Sequence, residues 1–176
     1  MDSKKLKDSI RTIKDYPKAG ILFYDITTMI GNGEVFGEFI ESLKARYENE
    51  HIDFIVGIEA RGFIFGAALA NALKIGFVPI RKKGKLPSTA VSEKYALEYG
   101  FDEIEIHIDA FKSKKDARVV LVDDLIATGG TALASLNLIK SLNAQCIEAC
   151  FLLNLVELGG AKKLQEHTRV FSALEI

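Results

Sequence analysis

The sequence predicts one α/β domain with a central, mostly parallel sheet flanked by helices. Short runs of Val, Ile and Leu alternate with helical runs along the chain, which is typical of such a domain. The strand-like runs are almost continuously apolar, as expected for strands buried on both faces. The 176 residues, of which 48% are hydrophobic, suffice for one domain with a sizeable core.

The N-terminal part contains two predicted helices and a loop. Apolar residues at helical spacing predict an amphipathic helix over Ser3–Ile13 and a second helix over Glu34–Glu48. Between them, Pro17 and Gly20 indicate a loop that enters a short extended segment within Tyr16–Thr27.

Two strand, helix, strand units follow, each typical of a parallel sheet. The first consists of strand Phe54–Ile58, helix Gly62–Leu73 and strand Gly76–Ile80. The second consists of strand Arg118–Asp123, helix Thr131–Ser141 and strand Cys146–Leu153. A last helix and strand are predicted at Gly160–Gln165 and Thr168–Phe171.

Two segments interrupt this alternation. Arg81–Gly100 has no clean periodicity, and an irregular segment of that length in a compact domain indicates either a wrong assignment of elements or a functional lid. In Glu103–Ile108, isoleucines alternate with polar residues, which predicts a half-exposed antiparallel strand.

Composition limits the partners. The net charge is −1 from 23 basic and 24 acidic residues, so we expect neither nucleic acid nor an anionic membrane as a partner, but small molecules. Cys146 and Cys150 lie in an apolar run and are expected to be reduced core residues. The N-terminus lacks the apolar core of a signal peptide, and the longest apolar stretch is too short to span a bilayer, so a cytoplasmic protein is expected.

The stretch VVLVDDLIATGGTA, Val119–Ala132, joins a strand to an expected anion site. Glycines 129 and 130 allow a tight turn that gathers backbone N–H groups at a helix N-terminus, which suits a phosphate; an ordinary capped turn is the alternative. Asp123 and Asp124 precede this turn, and two carboxylates beside a phosphate need hydroxyl donors or a cation such as Mg²⁺ between them. The GxxxxGK[ST] motif is absent, and GNGEVFG is not the dinucleotide fingerprint, so both of those site classes are set aside.

This stretch resembles the phosphoribosyl pyrophosphate (PRPP) signature of the type I phosphoribosyltransferase family. The resemblance implies that the ATGGT loop holds the 5-phosphate and that Asp123 and Asp124 face the ribose hydroxyls. The loop residues are Ala127, Thr128, Gly129, Gly130 and Thr131.

Five further stretches, in the same order along nearly the whole chain, resemble the adenine-specific branch of that family. They are YPKAGILFYDIT, GIEARGFIFG, IRKKGKLP, YALEYG and NLVELGG. The resemblance implies the type I phosphoribosyltransferase fold over residues 1–176, with a small hood at about 1–33 and a flexible catalytic loop at about 88–100.

The resemblance also implies residues for the pyrophosphate end of PRPP and for catalysis. Glu59 and Ala60 are expected to be joined by a cis peptide and, with Arg61, to contact pyrophosphate together with Lys82 and Lys85. Within the catalytic loop, Glu98 is expected to contact N7 of the purine, with Tyr99 as its catalytic neighbour.

For the base, the resemblance implies stacking by Phe23 on one face and Leu155 on the other. The main chain around Leu22 and Tyr24 is expected to contact the exocyclic amine and N1. Three positions depart from residues common in the family and bear on base identity: Ala19, Tyr24 and Asn154.

The implied reaction is transfer of the phosphoribosyl group from PRPP to adenine, giving AMP and pyrophosphate. Mg²⁺ is the implied cofactor, held mainly by PRPP, and a homodimer is the implied assembly. Two alternatives remain: a phosphoribosyltransferase for hypoxanthine, guanine or xanthine, and a non-catalytic PRPP-binding regulator, for which the chain has no room for a DNA-binding domain.

Overall fold

A computed structural model describes residues 1–96, 100–112 and 114–176. The helices are α1 Ser3–Asp8, α2 Thr27–Ile30, α3 Gly33–Tyr47, α4 Arg61–Leu73, α5 Gly130–Ser141 and α6 Gly160–Gln165. The strands are β1 Arg11–Lys14, β2 Leu22–Asp25, β3 Phe54–Ile58, β4 Gly76–Lys82, β5 Ala90–Ala96, β6 Phe101–His107, β7 Arg118–Ile126, β8 Gln145–Asn154 and β9 Arg169–Glu175. One 3₁₀ turn spans Val156–Leu158.

A seven-stranded sheet in the order β5-β6-β4-β3-β7-β8-β9 forms the centre of the domain. Strands β4, β3, β7, β8 and β9 are parallel, and β6 and β5 extend that sheet in antiparallel pairing. The predicted mostly parallel α/β sheet is confirmed, as is the predicted antiparallel strand around Glu103–Ile108.

The core lies on both faces of β7. Its residues Val119 and Leu121 pack into one buried cluster, which includes residues of α5 and α6. Val120 and Val122 pack into the other, with residues of α3 and α4. Because side chains alternate across a strand, an uninterrupted apolar run fills both layers at once. Packing on both faces holds β7 in place, and with it the residues at its carboxyl end.

The predicted helix Ser3–Ile13 is wrong beyond Asp8. The chain leaves the helix at Ser9, whose hydroxyl donates to the Leu6 carbonyl oxygen at 2.6 Å. The next residues form β1, in which Thr12 and Ile13 pair with β2. Two β-branched residues favour the strand, and pairing with β2 outweighs the local helical spacing.

The expected irregular segment also contains a strand. Ala90–Ala96 pairs with β6 along its whole length. From Val91 onward its half-buried residues alternate with exposed ones, and Val91 packs against the core. Asn137 of α5 donates its amide to the Glu93 carboxylate at 2.9 Å, which ties the strand to that helix. The flexibility predicted for residues 88–100 stays a prediction.

Both cysteines are free, as expected. Cys150 is buried and Cys146 is half-buried. Burial raises the pKa of both thiols, to about 12 and about 11, so neither is a thiolate at neutral pH. In the ranges that the structure describes, no helix is both long and apolar enough to cross a membrane.

Candidate active site

The carboxyl ends of β3 and β7 meet at one edge of the sheet, since the two strands are parallel neighbours. A cavity of about 410 Å³ opens at this edge. Crevices outside the carboxyl ends of parallel strands are the usual ligand sites of open α/β sheets. The predicted residues that line it are Glu59, Ala60, Arg61, Lys82, Asp123, Asp124, Ala127, Thr128, Gly129, Gly130 and Thr131.

Residues 127–131 form the turn by which β7 passes into α5, and we call this turn the cradle. Gly129 has φ of +82°, a left-handed conformation that glycine adopts without steric cost, and it caps the helix. The first turn of α5 contains no acidic residue, so its free N–H groups and positive dipole end are available to an anion.

The cradle rests directly on the start of α6. Gly160 donates its N–H to the Ala127 carbonyl oxygen at 3.0 Å. A Cβ atom on Gly160 would lie 2.3 Å from that oxygen and 2.5 Å from the Gly129 nitrogen. Only glycine permits this approach, so Gly160 shapes the cradle from behind. Gly160 lies within the NLVELGG stretch, but nothing in the sequence indicated this contact.

The paired acids lie inside β7, not after it. The strand was predicted to end at Asp123, but it continues in register with β8 to Ile126. Asp124 is buried and Asp123 half-buried. Gly62 of α4 packs against them: a Cβ there would lie 2.8 Å from Asp123 Oδ1 and 2.7 Å from the Val122 carbonyl oxygen.

The acids are electrostatically unfavourable in the absence of a ligand. Burial, followed by the neighbouring Asp124 charge, raises the pKa of Asp123 well above its usual range. Burial also raises the pKa of Asp124, although the Arg61 guanidinium opposes this. Arg61 Nε lies 3.0 Å from Asp124 Oδ2, yet that buried oxygen accepts no hydrogen bond from the described residues, so the contact is ionic but poorly directed. Hydroxyl donors of a ligand would satisfy it.

The loop after β3 has the cis peptide between Glu59 and Ala60 that the resemblance implied. The Glu59 carboxylate turns toward β4, where it accepts the Lys82 N–H at 2.8 Å and lies 3.3 Å from Arg81 Nε. Burial opposes ionisation of Glu59, but these contacts outweigh it and lower its pKa. Arg61 begins α4, and its side chain remains 44% exposed.

Two polar lining residues had no predicted role, although Tyr95 lies in the YALEYG stretch. Tyr95 and Asp102 both line the cavity and lie opposite each other in the β5–β6 pair. The Asp102 carboxylate accepts the Tyr95 hydroxyl at 3.1 Å and lies 3.0 Å from Lys82 Nζ. The bond with Lys82, supported by the Glu103 N–H, lowers the pKa of Asp102. The Tyr95 ring lies beside the cradle, 3.5 Å from where a Cβ on Gly130 would be.

Other predicted residues lie elsewhere. Lys85 is exposed and does not line the cavity; its N–H donates to buried Glu105 at 3.0 Å. Glu98 and Tyr99 fall outside the described residues.

None of the four residues expected to bind the base lines the cavity. Leu22, Phe23 and Tyr24 form β2 of the hood, where the Phe23 ring meets Tyr16 edge-on with centroids 5.1 Å apart. Leu155 donates its N–H to the carbonyl oxygen of Ile126, next to the cradle, at 3.0 Å. The structure thus brings Leu155 to the site edge and leaves Leu22 44% exposed on the hood.

The described residues fit a metal held mainly by its ligand. No three Asp, Glu, His or Cys side chains among them converge as a metal site. Mg²⁺ is commonly held by one or two carboxylates together with substrate phosphates and water, which suits Asp123 and Asp124 beside a bound polyphosphate.

Comparisons with known proteins agree with this geometry. The phosphoribosyl transferase domain family matches residues 31–173. An adenine phosphoribosyltransferase of Helicobacter hepaticus is 65% identical over 175 residues, which cover 99% of this chain and 98% of that protein. The solved adenine phosphoribosyltransferase of Thermoanaerobacter pseudethanolicus has a TM-score of 0.93 at 45% identity, covering 99% of this chain and 100% of its own. That of Saccharomyces cerevisiae, in complex with adenine and an imino-altritol bisphosphate, has a TM-score of 0.92 at 40% identity and covers 98% of both chains. The chain belongs to the phosphoribosyltransferase family and, within it, to the adenine phosphoribosyltransferases.

Proposed function

We propose that this protein transfers the 5-phosphoribosyl group from PRPP to adenine, giving AMP and pyrophosphate in purine salvage. One observation carries the proposal: the cradle, the paired acids and Arg61 line a single cavity at the carboxyl edge of the sheet. The 65% identity to an adenine phosphoribosyltransferase over almost the full length supports adenine as the acceptor.

The two parts of the donor meet different groups along the cavity: hydrogen-bond donors face the phosphate, and carboxylate acceptors face the ribose. The N–H groups at the start of α5, with the hydroxyls of Thr128 and Thr131, hold the 5-phosphate. Asp123 and Asp124 accept hydrogen bonds from the ribose hydroxyls, and this relieves the cost of two adjacent buried carboxylates. The acids therefore position the sugar and balance the positive character that it develops at C1.

The pyrophosphate end is stabilised by cations on the far side of C1. N9 of the base attacks C1 as the bond to pyrophosphate breaks, and the leaving oxygens gain charge. Arg61 and Lys82, which line the cavity, stabilise that charge, and Lys85 does so if its segment moves inward. When bound with PRPP, Mg²⁺ supplies further charge neutralisation at the pyrophosphate.

The base is held between Phe23 and Leu155, with the main chain of Leu22 and Tyr24 selecting for adenine. Glu98 hydrogen-bonds N7 and, in its ionised form, accepts from N7 the proton that adenine loses as N9 bonds to C1, with Tyr99 beside it. Closure of residues 88–100 excludes water, which would otherwise hydrolyse the activated ribosyl group.

The direct test is to incubate the purified protein with adenine, PRPP and Mg²⁺ and to measure AMP. Hypoxanthine, guanine and xanthine are assayed in parallel, because Tyr24, Ala19 and Asn154 differ from common family residues near the base. Turnover of one of those bases without AMP formation would refute adenine as the acceptor. For Glu98→Gln, turnover should fall more than PRPP affinity, and an unchanged turnover would remove its catalytic role.

We also propose that the protein acts in the cytoplasm as a homodimer. Both statements rest on resemblance to the family. Light scattering of the purified protein should give about twice the chain mass of 19.4 kDa, whereas a monomer at assay concentration would contradict the dimer.

A further inference from the structure

The cavity carries more acidic than basic side chains. Among the described residues that line it, the acids are Glu59, Asp102, Asp123 and Asp124, and the bases are Arg61 and Lys82. Each base is already engaged by an acid of the same cavity: Arg61 lies 3.0 Å from Asp124, and Lys82 lies 3.0 Å from Asp102. The cavity is proposed to bind a polyanion, yet the Arg61 and Lys82 side chains that line it each lie next to an acid of the same cavity.

Three of the four acids have another task. Asp123 and Asp124 are proposed to face the ribose, and Glu59 joins the end of β3 to β4 through the Lys82 N–H. Asp102 has neither a group of the donor to bind nor a contact with the end of β3. Its negative charge near the pyrophosphate end is unfavourable for a polyanion.

The Asp102 carboxylate is held in place without Lys82. Its Oδ1 accepts the Glu103 N–H at 2.9 Å, and its Oδ2 accepts the Tyr95 hydroxyl at 3.1 Å. The Lys82 side chain is 60% exposed, against 26% for Asp102, and ends in a flexible ammonium. Lys82 is therefore the partner that is free to turn toward a stronger anion, while Asp102 keeps its other two contacts.

We propose that Asp102 is a positioning residue that competes with the pyrophosphate end of the donor for Lys82. The inference rests on the proposed function and deepens it. In the empty cleft Asp102 keeps Lys82 directed into the cavity; in the occupied cleft it weakens the hold on PRPP and on product pyrophosphate. The acid thereby limits affinity and favours release of the leaving group.

The test is Asp102→Asn, measured by calorimetry with PRPP and, separately, with inorganic pyrophosphate, each with Mg²⁺ and without adenine. The amide keeps partners for the Glu103 N–H and for the Tyr95 hydroxyl, so the strand pair is retained. Because an exposed ion pair and one nearby charge are removed, both ligands should bind about two- to tenfold more tightly. Glu103→Gln is the matched control, since its carboxylate pairs with Lys83 outside the cavity, 2.8 Å away.

Repeating the measurement in a protein that also carries Lys82→Gln separates competition for Lys82 from a structural effect of Asp102→Asn. In Lys82→Gln, the Asp102→Asn substitution should improve binding by less than about twofold, because the competition has been removed. Equal or weaker binding by Asp102→Asn, an equal gain in Glu103→Gln, or the same gain in both Lys82 backgrounds would overturn the inference. Failure of the unaltered protein to bind PRPP would overturn the proposed function itself, so the two failures are distinguishable.

Discussion

Replacing Gly160 by alanine should damage the cradle from outside the cavity. The added Cβ would lie 2.3 Å from the Ala127 carbonyl oxygen, whereas such contacts are essentially never below 3.0 Å. The cradle and α6 must therefore separate by about 0.7 Å, the difference between these distances. The obstructing atoms are backbone, so no side-chain rotation relieves them. Overpacking of this kind costs about 1 to 3 kcal/mol of stability.

The same displacement moves the N–H groups that are proposed to hold the 5-phosphate. Misplacement on the order of 1 Å can reduce activity about a hundredfold, so we expect PRPP affinity to fall about tenfold or more. Thermal unfolding and PRPP titration measure the two effects. Gly37→Ala is the control, because nothing lies within 4 Å of its Cβ in α3 and alanine favours a helix. If Gly160→Ala matches Gly37→Ala in both measurements, the close packing of the cradle on α6 is not needed.

Three further predictions concern buried acids. Asp124→Ala should weaken PRPP binding at least about tenfold, and an unaltered titration would contradict its contact with ribose. Asp123→Asn should also lose affinity but raise Tm at pH 7 by about 2 to 4 °C. The folded-state pKa of Asp123 lies above the usual 3.8, so its carboxylate does not destabilise the fold below pH 3.8 and does so increasingly as pH rises through the folded pKa. A lower Tm for Asp123→Asn than for the unaltered protein at pH 7 would contradict this. Glu148→Gln should lower the free energy of unfolding by about 2 kcal/mol. Arg46 lies 2.7 Å from the carboxylate but is partly exposed, so this figure is smaller than for a fully buried ion pair. The bonds from Arg46 and Tyr47 outweigh burial and lower the pKa of Glu148, so its contribution is present above pH 4.5 and lost as pH falls through the folded pKa; an equal loss in urea unfolding at acid and neutral pH would refute this.

The features that were predicted correctly are encoded by residues close together in the sequence. The strand β7 is a continuous apolar run, and the turn at Gly129 has the composition that a left-handed helix cap needs. Both signals lie within a few residues of each other. The parallel sheet and the left-handed turn at Gly129 therefore followed from the sequence.

The features that it missed depend on pairing between distant segments. Tyr95 and Asp102 become neighbours only when β5 pairs with β6, and β5 shows no period-two alternation, because Ser, Glu and Lys follow one another between two apolar pairs. The end of α1 likewise depends on the pairing of β1 with β2. Local periodicity contains no information about either partner strand.

The position of the acid pair explains how the site keeps an unfavourable charge arrangement. Asp123 and Asp124 continue a strand whose four preceding residues, Val119–Val122, are at most 1% exposed and pack into both core layers. Neighbouring strands hold β7 on both sides, and Gly62 brings α4 against the acids, so they have no room to move apart. Burial of each such apolar side chain contributes roughly 1.5 to 3 kcal/mol, which holds the carboxylates where they would not remain on a loop. The protein cannot relieve their repulsion by moving, whereas a ligand with hydroxyl groups can; in the proposed function that ligand is the ribose of the donor, and the stability of β7 keeps the carboxylates in place to bind it.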